Sequence, residues 1–150
     1  MPYIWTDTQS IQNYLSAGSR VTIGSGDDEV PELSAMAFEN EAVDEVTTIL
    51  SAAWDGVYDL TDTTASRTLK WMAAKLAASG IAVVNIGGSL ADMPKWVSQY
   101  RSDVLGQAYR MVVNFDSVNM PESCVLRDGL DIGELLFKVK MRSGDAVPDV

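Results

Sequence analysis

Between residues 37 and 60, AFENEAVDEVTTILSAAWDGVYDL, apolar side chains recur at Val43, Val46, Ile49, Leu50, Ala53, Trp54 and Val57. Steps of three and four place them on one stripe of a helix. Glu41, Glu45, Asp55 and Asp59 fall away from that stripe. A second helix is predicted over residues 66–80, SRTLKWMAAKLAASG, where Leu69, Met72, Ala73 and Leu76 share a face and Gly80 ends the run. Thr64 or Ser66 is placed to cap it. The third long helix, KWVSQYRSDVLGQAYRMVV, follows Pro94, a residue suited to a first helical turn. Trp96, Val97, Tyr100, Val104, Leu105, Ala108 and Val112 keep helical phase along it. A shorter helix opens the chain, with Thr6 or Asp7 as N-cap, Ile11, Tyr14 and Leu15 on one face, and Ala17-Gly18-Ser19 as its end.

The connecting segments are read from punctuation. Arg20 to Ile23 suits a short strand, and Gly24-Ser25-Gly26-Asp27-Asp28 is a turn or loop. The apolar run after Gly80 has no period of its own; it reads as the end of a buried helix followed by a loop from Asn85 to Asp92. Beyond Asn114 the texture changes. Pro121 and Asp128-Gly129 mark turns, while in ELLFKVKMR, residues 134–142, Leu136, Lys138 and Lys140 alternate with Phe137, Val139 and Met141, the period of a strand. SGDAVPDV reads as a mobile tail. The expected fold is mainly α: a small bundle of three to four helices over residues 1–113, with a C-terminal extension or arm, 114–150, that contains some β-strand.

Length and composition agree with that picture. At 150 residues, 47% hydrophobic and 21% charged, the chain suits one globular domain. No apolar window is long enough to cross a bilayer, and MPYIWTDTQ lacks the basic and apolar regions of a leader, so a soluble, non-secreted protein is expected. Charge is less even. The net charge is -10. Residues 1–66 contain twelve acids and the single base Arg20, whereas residues 67–150 hold ten bases and nine acids. An acidic first half repels nucleic acid and attracts basic protein surfaces.

Candidate chemistry is sparse. There is no histidine, so neither a Ser-His nor a Cys-His nucleophile can be assembled, and Cys124 is read as a structural thiol. Ser66 and Lys70 have the spacing of a Ser-Lys pair, which is also ordinary on any helix surface. Zinc lacks ligands. Asp27, Asp28 and Glu29, or Asp55, Asp59 and Asp62, offer oxygens for calcium but not the alternating pattern of an EF-hand loop. IGSGDDE places carboxylates where a phosphate needs amides and a cation, and NIGGSLAD lacks the lysine of a phosphate-binding loop. No catalytic, cofactor-binding or metal-binding residue is therefore assigned, and the chain is read as a non-enzyme. Lys95, Trp96, Tyr100, Arg101, Tyr109 and Arg110 interleave bases with aromatics, but in so acidic a chain these bases are better matched to carboxylates, within the subunit or on a neighbour.

Four segments together, PYIWTD with its helix, A-V-D-E-V-x-x-I-L, L-K-W-M-A-A-K-L-A-A and K-W-V-S-Q-Y-x-x-x-V-L, resemble the small helical head-tail connector (adaptor) proteins of tailed bacteriophages. The resemblance spans residues 1–113 and rests on helix order, length and texture. The stretch Gly24 to Glu32 and the strand-like 134–142 depart from that pattern. The resemblance implies a structural virion protein at the head-tail junction, or neck, made in the host cytoplasm. It also implies a homo-oligomeric, dodecameric ring under the portal protein, contact with a tail or head-closure protein, and a channel through which genomic DNA passes without specific binding.

Interface or lumen positions expected on that reading are the acidic Glu39, Glu41, Asp44, Glu45, Asp55 and Asp59, and the basic or aromatic Lys95, Arg101, Arg110, Trp71, Lys138 and Lys140. A ring needs one face of a subunit to complement a different face of the next, and a chain with an acidic front and a mildly basic rear has the means. The competing expectation is an acidic protein-binding or DNA-mimic regulatory module of phage origin, acting through residues 27–62.

Overall fold

The computed structural model describes residues 3–56, 58, 60, 63–86, 93–114 and 119–127. Four helices and two short strands follow one another: α1 (Thr8–Gly18), α2 (Glu32–Leu50), β1 (Trp54–Gly56), α3 (Thr63–Ile86), α4 (Lys95–Val113) and β2 (Cys124–Leu126). The chain is thus a mainly helical bundle with a small antiparallel β-ribbon, as the periodicity implies.

Helix α3 is the centre, packing against α1, α2 and α4. Leu69, Met72, Ala73 and Leu76 are buried on it, and so are Ala74, Ala77, Ala78, Ile81 and Ala82. Alanines round the axis let three helices approach closely, and the larger Leu69, Met72 and Ile81 fill the space between them. Gly80 does not end this helix. It lies inside it, where an added Cβ would come 3.1 Å from the Phe38 ring, so its missing side chain serves the approach of α2 to α3. Asn85 is also helical, its side-chain amide donating to the Ile81 carbonyl.

Helix α1 starts where Asp7 accepts from the Ser10 backbone N–H at 2.8 Å, the N-cap expected of that residue. The Arg20–Ile23 segment forms no named strand; Ile23 makes a single parallel bridge with Val30. In α2 the buried positions are Ala35, Glu39, Ala42, Val43, Val46, Ile49 and Leu50, and the helix stops at Leu50. Ala53 and Trp54, which continue the helical phase on paper, lie beyond its end. Both are buried all the same: Trp54 opens β1, and its indole N–H donates to the Met111 carbonyl at 3.3 Å. A buried turn and strand therefore occupy core space that a longer helix would have filled.

β2 pairs antiparallel to β1 with Trp54 opposite Leu126 and Gly56 opposite Cys124. Met120 and Cys124 join the core and the Arg127 backbone N–H donates to the Ala53 carbonyl, so residues 119–127 pack onto the bundle. The 134–142 strand reading, and the reading of the tail, lie outside the described residues.

Candidate functional site

The exposed face of α2 is the first surface to consider. Leu33, Ala37, Glu41, Asp44 and Thr48 are all exposed and succeed one another at steps of four, four, three and four, which is one stripe down the helix. Glu41 and Asp44 therefore stand in solvent, and neither has an ion-pair partner among the described residues.

Glu39 does not belong to that surface, which corrects the expectation that it lines an interface or lumen. Its residue exposure is 0%. Position 39 is one turn beyond Ala35 and one turn before Ala42 and Val43, so it sits on the buried stripe. The carboxylate takes the backbone N–H of Trp5 at 2.7 Å and that of Ile4 at 3.0 Å. A buried charge is tolerable only with such partners, and here they tie the N-terminal segment to the middle of α2.

Two further acids are spent within the subunit. Glu45 meets the Arg101 guanidinium with both oxygens, at 2.5 and 3.2 Å, joining α2 to α4. Asp55 meets Arg127 at 2.9 Å across the β-ribbon. Both pairs are half exposed, so each contributes on the order of 0–1 kcal/mol, and their main effect is to neutralise charge that a neighbour would otherwise meet. Lys95 and Arg110 are exposed on α4, and Arg110 is within reach of Gln107 only at 3.5 Å. Asp59, Lys138 and Lys140 lie outside the described residues.

Trp71 is half-buried and belongs to a cluster that the sequence did not announce. The Lys75 ammonium lies 5.0 Å from the Tyr100 ring centroid, 5.4 Å from Trp71 and 6.0 Å from Tyr14, and it pairs with Asp103 at 2.9 Å. Tyr100 also packs edge-on against Tyr14 and Trp96, and its hydroxyl donates to the Tyr14 carbonyl. One cation thereby gathers aromatics from α1, α3 and α4. The i to i+4 step from Trp71 to Lys75 was visible in the sequence, but nothing there brings Tyr14 to the same place.

The hydrogen bond from Lys75 holds the Asp103 carboxyl below the usual carboxylate range, aided by Gln99 and opposed by partial burial. A depressed acid contributes stability that is present above the ordinary aspartate range, near pH 4, and is lost as pH falls through the lower folded value. Lys75→Met is therefore expected to cost about 1 kcal/mol at neutral pH and to flatten that part of the acid limb, because Asp103 then titrates more nearly as it does unfolded. Urea titrations of both proteins between pH 7 and pH 2 measure this; parallel acid limbs would contradict it.

The remaining chemistry resolves into structure. Ser66 is buried and its hydroxyl donates to the Leu60 carbonyl, while Lys70 is exposed. Glu29 folds back onto its own loop, accepting from the Gly26 N–H at 3.0 Å. No group of three or more potential metal-ligating side chains exists among the described residues. Burial raises the Cys124 thiol, against a hydrogen bond with Ser123, and burial pushes the Tyr58 hydroxyl up to about 12, with smaller contributions from Cys124 and Asp55. No helix among the described residues is long and apolar enough to cross a membrane.

No family model, curated protein or solved structure matches this chain. What the geometry offers is a cross-braced bundle whose interior carboxylate is used for anchoring and whose unneutralised acids face outward.

Proposed function

We propose that this chain is a structural virion protein, a head-tail connector that forms a ring beneath the portal and links it to the tail. The observation that carries the reading is the solvent stripe of α2, where Glu41 and Asp44 remain exposed and without an ion-pair partner among the described residues. A buried acid needs partners inside the fold, as Glu39 has in the Ile4 and Trp5 N–H groups; acids on an outer face suit docking, or the wall of a conduit. On a channel wall they repel DNA phosphates, which lets the genome pass without sticking. Glu45–Arg101 joins α2 to α4 and Asp55–Arg127 spans the β-ribbon, so these acids are taken up within the subunit and Glu41 and Asp44 are left for docking. The resemblance in helix order and texture over residues 1–113 points the same way, to a neck protein with portal and tail or head-closure partners rather than an enzyme.

Electron microscopy of the purified protein, alone and mixed with portal assemblies, tests this directly. Closed rings, stacked coaxially on the portal, are expected. Absence of binding to portal, combined with capture of a DNA-binding enzyme that is lost on Glu41→Lys and Asp44→Lys, would replace the connector reading with that of a DNA mimic.

A further inference from the structure

Residues 3–6 run ahead of α1 and are fixed to the bundle by side chains rather than by a ladder. Among the described residues no backbone–backbone hydrogen bond ties them to another element. Their main chain is held by one carboxylate: Glu39 Oε1 accepts from the Trp5 N–H at 2.7 Å, and Oε2 accepts from the Ile4 N–H at 3.0 Å. The Trp5 indole supplies most of the rest. It is 5% exposed, and its ring lies 6.0 Å from that of Tyr58. Ile4 is half exposed, and the Tyr3 hydroxyl makes an outer tie to Thr8 Oγ1 at 2.8 Å.

Two features separate this segment from the helices it covers. Helix α1 does not need it, because Asp7 caps the helix from inside, accepting from the Ser10 N–H, and the first helical bond runs from the Ile11 N–H to the Asp7 carbonyl. The docked segment also buries the Thr6 hydroxyl oxygen, which has no hydrogen-bond partner among the described residues. Undocking returns that hydroxyl to water and offsets part of what the Trp5 ring loses. A segment without ladder bonds, joined to a self-capped helix, opens at a lower free energy than the helices beneath it.

We propose that residues 3–6 are a detachable strap: they leave as a unit while α1, α2, α3 and α4 stay folded, and the slot they vacate is a binding site for a short peptide. The class of ligand follows from the contacts. A carboxylate that engages two successive main-chain N–H groups reads a backbone, not a side chain, and the indole-sized pocket at the second of them selects an aromatic residue. The half-exposed Ile4 sets no requirement. The chain fills this site with its own segment, so the strap competes with any peptide supplied in trans, and the apparent affinity falls by the fraction of molecules that are open. The slot lies on the buried stripe of α2, away from Glu41 and Asp44, and stands apart from the connector reading.

An acetylated YIWTD peptide, the sequence of residues 3–7, added to the full chain carrying Trp5→Ala tests the slot. Loss of the indole weakens the strap and leaves Glu39 to the peptide. NMR titration should show the variant binding it at least about a hundredfold more tightly than the parent, because losing a buried tryptophan raises the open fraction by at least that factor. The same peptide with alanine in place of tryptophan should not bind, and Glu39→Gln in the Trp5→Ala background should weaken binding at least about tenfold. No binding up to about millimolar peptide, to a variant that circular dichroism shows to be folded, overturns the proposal. Equal affinity for parent and variant does the same. In the parent, hydrogen exchange at Ile4 and Trp5 should pass through an opening nearly independent of urea, while exchange at Leu69 and Met72 in α3 follows global unfolding. Coincident exchange free energies for the two pairs overturn the strap, whether or not the Trp5→Ala chain folds.

Discussion

Glu39→Ala is expected to lower the unfolding free energy by about 3 kcal/mol, the larger of the two strongest effects foreseen for this chain. The change removes the acceptor of two N–H groups, those of Ile4 and Trp5, and leaves the buried one without a partner in a site that excludes water. An unsatisfied buried donor costs about 1–3 kcal/mol, and the volume vacated by the side chain adds to it. Glu39→Gln keeps one carbonyl oxygen but turns an amide N–H toward a backbone N–H, so an intermediate loss of about 1–2 kcal/mol is expected. Urea denaturation gives the magnitude, and amide hydrogen exchange at Ile4 and Trp5 gives the location. If the alanine variant unfolds within about 0.5 kcal/mol of the parent, the carboxylate is not the anchor of the N-terminal segment.

Gly56→Ala is the second. Gly56 has φ +130°, a backbone conformation that side chains with a Cβ rarely adopt, and an added Cβ would stand 2.3 Å from the Ser123 carbonyl oxygen. Neither atom is the end of a flexible side chain, so the ribbon itself must yield. Strain and displacement together are expected to cost about 2–3 kcal/mol. The lost pairing would also uncover Cys124, which stands opposite Gly56 and is buried in the parent. Its reaction with a thiol reagent should accelerate in the variant in step with the loss of stability. Unchanged stability together with unchanged thiol reactivity would show that the ribbon accommodates alanine.

Both positions illustrate how far the sequence could be read. Glu39 stands four residues after Ala35 and three before Ala42, on the same stripe as Val46 and Ile49. The place was legible; its occupant was not, since a carboxylate on a buried stripe is only tolerable once Ile4 and Trp5 arrive from 34 and 35 residues away. Asp55-Gly56 is the kind of pair that marks a turn at Asp128-Gly129, but the apparent helical phase of Ala53 and Trp54 hides that signal, and its closeness to Ser123 and Cys124 comes only with the fold. Gly80 gives a misleading one: glycine at the end of an apolar helical run is an ordinary stop, yet here the closeness of Phe38 makes it an internal residue. Trp54 shows the same limit from the other direction, keeping helical phase with Ile49 and Leu50 while lying in a strand that Met111 and Leu126 hold in place.

Lys75 and Arg101 separate the two kinds of knowledge for the surface. That the bases of the rear half would meet carboxylates follows from composition, but that Arg101 takes Glu45 and Lys75 takes Asp103 follows only from how α2, α3 and α4 cross.

The mainly helical class, the order of the helices and the apolar stripes of α3 and α4 and of α2 as far as Leu50 were determined by the sequence alone, because periodicity acts over a few residues and needs no distant partner. The end of α2, the strand at Trp54, the inward Glu39 and the aromatic enclosure of Lys75 were decided by the tertiary structure. Each depends on desolvation and hydrogen-bond partners that only a folded chain brings together.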